Sequence, residues 1–496
     1  MQGYTVQPVA QNLLETPAMD RMDNLQLISG RLHDVFERQK CAHLANPNPE
    51  FHERVSNLEL LEETILRNES ELLAAMSNDY GHRSRHESIM ADIVATLGVI
   101  RHAKSNLKAW MKVRRVPTPW QLRPSVSYVH PQPLGVIGII ASWNFPVYLG
   151  FAGVASALGA GNSCMLKPSE HTPRTSSLMA RLLENNFGQE VVAVVEGDAS
   201  VGEAFSRLPF DHLLFTGSQR VGKLVARAAA ENLTPVTMDL GGKSPLIVAP
   251  SGHLGQAAAC AAQAKMINAG QMSVCPDYAL VPRPRLDEFV QAVGQAAQKQ
   301  YPSIRNNPDV SCVISAAHME RLQELVAEAK RHGARVLQIN PAGELFEPAS
   351  QKFPLTLVVD PSPRLRLMQE EVFGSILPIV PYDTLEQAVL EVQNRPRPPA
   401  LYLFATSKGE KRFVLDHTVS GGVTVNDAMW HVLNNNMPFG GVGGSGMGSY
   451  TGKTGFDTLS KLKPVLEQSK FNAAPLLRAP YGPVFDKVAN VLKKLA

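Results

Sequence analysis

The chain predicts an α/β protein with parallel sheets covered by helices on both faces. The main observation is rhythm. Short apolar runs at Val136–Ser142, Ser163–Lys167, Val191–Val195, His212–Phe215 and Val236–Asp239 alternate with Ala- and Leu-rich helical stretches. A second series follows, at Leu246–Val248, Tyr278–Val281, Leu355–Val359, Ile376–Val380, Leu401–Ala405 and Gly422–Asn426. Such βαβ alternation builds parallel sheets. The other observation is that three strand-to-helix turns of the first series carry the residue types that dinucleotides need at the carboxyl ends of strands.

Composition sets the bounds. A chain of 496 residues, 44% hydrophobic and 19% charged, suits a large globular protein of two to four domains at about 150 residues each. Its 48 basic and 45 acidic residues give no field of one sign to attract nucleic acid. Cys41, Cys164, Cys260, Cys275 and Cys312 have neither disulfide-framework nor zinc spacing, as expected in a reducing compartment. No run reaches the ~18 apolar residues of a membrane span, and the start lacks a secretory pattern. A cytoplasmic protein without a transmembrane segment is the expectation.

In chain order, Leu27 to Trp110 reads as helices, from the spacing of Leu58, Leu61, Ile65 and Leu72 and of Ile89, Ile93 and Leu97. Between them, His82 and His86 of Gly81-His-Arg-Ser-Arg-His-Glu-Ser88 have helical i, i+4 spacing. They lack further Cys or carboxylate ligands, so a helix start with solvated charges is the better reading and no metal is expected. Lys104 to Arg115 reads as a basic helix face stopped by Val116-Pro-Thr-Pro-Trp120, and Ser125–Val129 as a short strand.

The first cofactor turn is Ala141-Ser-Trp-Asn-Phe-Pro146, with Pro146 suited to a first helical turn. In the second, Leu166-Lys-Pro-Ser-Glu170, the Glu170 carboxylate can hold ribose hydroxyls and Lys167 can assist. Glu170 favours NAD over NADP by repelling a 2′-phosphate, with NADP left open. In the third, Phe215-Thr-Gly-Ser-Gln-Arg-Val-Gly222, Gly217 and Gly222 allow close backbone approach. Ser218 caps a helix whose N–H groups can receive a pyrophosphate.

Four further motifs complete the pattern: Asp239-Leu-Gly-Gly-Lys243, Asn268-Ala-Gly-Gln-Met-Ser-Val-Cys-Pro-Asp-Tyr278, Glu370-Glu-Val-Phe-Gly374 and Pro438-Phe-Gly-Gly-Val-Gly-Gly-Ser-Gly-Met-Gly448. In order and spacing, from about residue 30 to residue 470, the chain resembles the aldehyde dehydrogenase superfamily. Gly81–Ser88 resembles a segment of its coniferyl aldehyde dehydrogenase, class 3 branch.

The resemblance implies a nucleophile at Ser273, where the family has Cys, and a general base at Asp239, where it has Glu. Asn144 becomes the oxyanion-hole donor, and Cys275 a candidate substitute nucleophile. Trp143, Lys167, Glu170, Gly217, Ser218, Gly222, Leu240, Glu371 and Phe373 become the cofactor-binding set, with Glu371 on the nicotinamide ribose and Phe373 beside the ring. Residues 438–448 close the substrate side, and Thr451 stands near the active-site wall where the branch has His.

The implied organisation is an N-terminal extension (1–25), a Rossmann-like dinucleotide-binding domain (26–120 and 133–240), an α/β catalytic domain (241–450), a small oligomerisation element (121–132 and 451–475) that makes a homodimer or other homo-oligomer, and an amphipathic tail (476–496). Three functions stay open: NAD(P)-dependent oxidation of an aldehyde, coniferyl or otherwise aromatic; a catalytically degenerate NAD-binding sensor or scaffold; and a weak esterase using Ser273 with Asp239.

Overall fold

The computed structural model describes residues 18–346, 350–472 and 474–495. Most of the N-terminal extension, residues 1–17, lies outside them. The first sheet has six strands in the spatial order Gly446–Met447, Val236–Leu240, His212–Gly217, Val136–Ile140, Ser163–Lys167, Val192–Val194. All pair in parallel except the edge strand Gly446–Met447. Strand order reverses at Val136–Ile140, which opens a crevice at the carboxyl ends of this strand and His212–Gly217.

A second sheet runs Arg335–Gln338, Thr356–Val359, Ile376–Tyr382, Tyr278–Pro282, Pro245–Val248, Ala400–Phe404, Gly422–Val425. Only Arg335–Gln338 is antiparallel. A third, antiparallel sheet joins Arg114–Val116, Val126–Pro133 and Ser460–Glu467, the last two in register from Ser460 on Pro133 to Glu467 on Val126.

Most predicted strands form within a residue or two of their expected ends. The differences have tertiary causes. Arg114–Val116 leaves the expected helix, which ends at Trp110, because it pairs with Ser127–Val129. Ser460–Glu467, Arg335–Gln338 and Gly446–Met447 are strands that local pattern did not announce, since each is set by the neighbour it meets. Gly446–Met447 returns from the second half of the chain to pair with Asp239 and Met238. Thr451, expected near the active-site wall, is buried before the helix Gly452–Thr458.

The helix Pro146–Ala160 is buried almost all round and packs on the first sheet. It begins with Pro146 and ends at Gly161, whose φ of 86° needs glycine. Arg54 reaches this end and donates to Ala160 O at 2.8 Å, so close that a Cβ on Gly161 would lie 2.5 Å from its guanidinium carbon. Leu58, Leu61, Ile65 and Leu72 pack inward as their spacing predicts. Among the described residues no helix is long and apolar enough to cross a membrane.

Candidate active site

The crevice of the first sheet and the loop leading to Tyr278 open onto one cavity of about 920 Å³. One side carries Trp143, Gly217, Ser218, His318, Arg321, Glu371 and Phe373. Its far side is mostly apolar, with Ala91, Phe145, Leu149, Met272, Val432 and Phe439. Asn144, Asp239 and Ser273 line the same space.

The Ser273 loop holds a conformation that side chains must enforce. Asn268, Ala269 and Gly270 have φ of 49°, 53° and 71°, and left-handed backbone costs a non-glycine residue free energy. Gly270 passes so close to the Glu370–Gly374 motif that a Cβ would lie 2.5 Å from Gly374 O. Glu87 accepts from Asn268 N at 2.9 Å and Ser311 Oγ at 2.7 Å. Gln271 donates to Asn268 O at 2.8 Å and Cys312 O at 3.0 Å, and accepts from Ile314 N at 2.9 Å. Asn268 Nδ2 in turn donates to Asn144 O at 2.9 Å, which ties the loop to the first turn.

A buried lysine joins three motifs. Lys243 Nζ pairs with Asp277 and donates to Leu367 O at 2.8 Å and Glu370 O at 2.9 Å. Asp277 accepts from Val372 N at 2.8 Å. The Asp239–Lys243, Asn268–Tyr278 and Glu370–Gly374 segments thus meet at one buried ion pair, which fixes their relative positions.

Asn144 Nδ2 donates to Gln271 O at 3.2 Å, which leaves one amide proton for a ligand. Burial pushes the Asp239 carboxyl up to about 7, near the value best suited to a general base at neutral pH. Ser273 Oγ makes no hydrogen bond among the described residues. Cys275 does not serve as a substitute: its thiol is buried behind the loop, donates to Ala264 O at 3.2 Å, and burial raises its pKa to about 11. A thiol so desolvated, outside the cavity wall, is not a nucleophile.

On the first side of the cavity, Trp143 meets Phe373 and His318 edge to face, with ring centroids 5.5 and 5.3 Å away. Tyr80 fixes that turn by donating to Trp143 O at 3.1 Å. Glu371 Oε1 is buried without a partner, and a Cβ on Gly241 would fall 1.9 Å from Glu371 Oε2. An orphaned carboxylate oxygen beside a glycine cradle fits the hydroxyls of a ribose. Lys167 and Glu170 lie outside this cavity wall, paired with each other at 2.8 Å. Burial opposes ionisation of Glu170, but the Lys167 ammonium outweighs it and keeps the carboxyl below its usual range. The Leu240 side chain is buried against Gly222, where a Cβ would meet it at 2.8 Å. Leu240 and Gly222 thus support the turn from beneath.

His318 and Arg321 escaped the sequence reading. They stand three apart on the helix Ala316–Arg331, a shared face that the sequence did display. Arg321 donates to Val372 O at 2.8 Å and also to Glu371 O. His82 and His86 form no metal pair: they bond to Pro308 O and Asp309 Oδ1, and among the described residues no cluster could hold a metal ion.

A doubly wound sheet whose switch point shares a cavity with a strained loop defines an α/β protein with a ligand site at the carboxyl ends of its strands. The comparisons with known proteins identify which. The aldehyde dehydrogenase family model matches residues 35–465. A probable coniferyl aldehyde dehydrogenase of Caulobacter vibrioides is 43% identical, covering 93% of this chain and 97% of that protein. The coniferyl aldehyde dehydrogenase of a Pseudomonas species is 41% identical over 93% and 96%. The substrate-bound structure of Staphylococcus aureus AldH superposes with a TM-score of 0.87 at 34% identity, over 93% and 99% of the two chains. The chain belongs to the aldehyde dehydrogenase family.

Proposed function

We propose that this chain oxidises an aldehyde, aromatic in the first instance, with NAD(P), slowly, through Ser273. The observation that carries the reading is the single cavity joining Ser273, Asp239 and Asn144 to Trp143, Glu371 and Phe373. A nicotinamide dinucleotide bound by Trp143, the Gly217–Ser218 turn, Glu371 and Phe373, with Lys167 and Glu170 toward its ribose, supplies the hydride acceptor. Asp239, which makes no direct hydrogen bond to Ser273 in the free protein, takes the Oγ proton through a bridging water as Ser273 adds to the carbonyl carbon. The free amide proton of Asn144 meets the oxygen on which charge develops, worth ~3 kcal/mol of barrier in comparable sites. Having passed the Ser273 proton to solvent, Asp239 deprotonates the water that attacks the ester and returns the proton to the departing Ser273 Oγ.

Similarity to coniferyl aldehyde dehydrogenases supports an aromatic substrate, as do the apolar walls. Exposed Val126, Leu462 and Leu466 on the three-stranded sheet support a homodimer. A second reading, dinucleotide binding without turnover, is favoured by one observation: among the described residues Ser273 Oγ makes no hydrogen bond to a base. NADH formation measured with aromatic and aliphatic aldehydes separates the two. Turnover abolished by Ser273→Ala supports oxidation; saturable NAD binding without turnover supports the second.

Two results are expected from the buried carboxyls. Burial, then the Asp277 charge, raises Glu371 to about 8, so it holds a proton in the free protein at neutral pH. Ribose hydroxyls donating to the carboxylate lower that pKa, so NAD binding near pH 7.5 should release up to about one proton. Calorimetry in two buffers of different ionisation enthalpy reads this; proton uptake would contradict the assignment.

The Asp239 pKa is likewise raised in the fold, relative to about 3.9 unfolded. Its carboxyl therefore costs nothing below about pH 4, and the cost grows until pH passes 7. Asp239→Asn should gain about 2–4 kcal/mol at pH 8 and much less at pH 5, while losing any turnover. Urea unfolding at both pH values measures the gap; a gap that does not widen would exclude a buried, ionisable Asp239.

A further inference from the structure

The C-terminal helix plays no part in the cavity. Pro483–Leu495 packs against the short turn Ala474–Leu477 of its own chain. In helical projection Val484, Phe485, Val488, Ala489, Val491 and Leu492 share one unbroken arc. Asp486, Lys487, Asn490, Lys493 and Lys494 share the other. The apolar arc is left partly in water, with Val484 59% and Val491 52% exposed. Nearby in sequence, Phe471 is 87% and Tyr481 68% exposed, and the Tyr481 ring meets Phe485 at a tilt, with ring centroids 4.8 Å apart.

Charge says what covers this face. Residues 468–496 hold five basic residues and one acidic, leaving 43 basic and 44 acidic in the other 467. The net positive charge of the whole chain therefore resides in this tail. A second copy of the chain offers an equally basic tail and a nearly neutral body. An anionic bilayer complements both arcs at once: the acyl boundary takes the Val, Phe and Leu side chains, and the headgroups take the lysines. At 13 residues the helix is ~20 Å long, too short to cross a hydrocarbon core of ~30 Å.

We infer that the helix Pro483–Leu495 lies in the plane of an anionic lipid surface and docks the protein there peripherally and reversibly. This stands apart from the reading of the cavity. The test is co-sedimentation of the full chain with vesicles of phosphatidylcholine, and of phosphatidylcholine mixed with phosphatidylglycerol. Binding is expected to the mixed vesicles, falling steeply with salt. Lys493→Ala/Lys494→Ala should weaken partitioning roughly thirtyfold, at the usual contribution of each lysine near such a surface. Val488→Asp/Leu492→Asp should abolish it, with the mass in solution unchanged by light scattering. The inference is overturned if the protein stays in the supernatant with both vesicle types, or if both variants bind as the parent does. It is also overturned if Val488→Asp/Leu492→Asp lowers the mass in solution and leaves vesicle binding intact, which assigns the helix to a second copy.

Discussion

Ser273→Cys should raise aldehyde-dependent NADH formation on the order of a hundredfold or more, because the change replaces a hydroxyl that must lose its proton during attack by a thiol that is already partly ionised. A free thiol with pKa about 8.5 is roughly a tenth thiolate at pH 7.5, and a serine hydroxyl is essentially un-ionised there. The rest of the site is in place to use it. Asn144 has an amide proton to spare, and the loop is held by Glu87, Gln271 and Asn268 whichever side chain stands at 273. Asp239→Glu, added to Ser273→Cys, restores one methylene of reach, and since ~1 Å of misplacement costs about a hundredfold, the double variant should exceed the single one. Absorbance at the nicotinamide band with an aromatic aldehyde measures both. If neither variant exceeds the parent, the cavity is not arranged for oxidation and the dinucleotide-binding reading stands.

The largest stability effect is expected at Arg83. Its guanidinium pairs with Asp92 at 2.8 Å, both side chains fully buried, and lies over the rings of Tyr80 and Phe145 at 5.0 and 5.1 Å. The Asp92 carboxylate uses its other oxygen to accept from Val147 N and Tyr148 N, each at 3.1 Å, at the exposed-donor end of the helix that follows Asn144. Arg83→Ala leaves that carboxylate buried without its counter-charge, which costs about 3–5 kcal/mol. Burial already raises the Asp92 pKa, and loss of the cation raises it further. The folded variant then favours protonated Asp92, so its deficit should shrink as pH falls. Urea unfolding at about pH 5 and pH 8 reads both the size and the sign. A deficit independent of pH would mean that Arg83 acts through ring packing alone.

The same pair shows where the sequence stopped being readable. Gly81–Ser88 displayed two histidines at helical spacing with two arginines between them, and from composition alone these were solvated charges. Arg83 is instead among the most deeply buried side chains, because its partner Asp92 lies nine residues on, within a short π-helix at Ile89–Val94 that no local pattern announces. His318 and Arg321 were missed for a related reason. Their helix reads as an ordinary amphipathic surface helix until His318 is seen against Trp143.

The sequence by itself determined the alternation of strands and helices, the two parallel sheets, and the positions of the turns, since each follows from local periodicity and from turn chemistry. It also placed Asn144, Asp239, Ser273, Glu371 and Phe373 in motifs, and these five do line one cavity. The tertiary structure alone decided that Cys275 is buried while Ser273 faces the cavity. It also decided that Asp239 and Glu371 are protonated more readily than free carboxyls, and that Gly446–Met447 returns to the first sheet. Each of these depends on desolvation or on pairing between segments far apart in the chain, and neither quantity is written in the residues on either side.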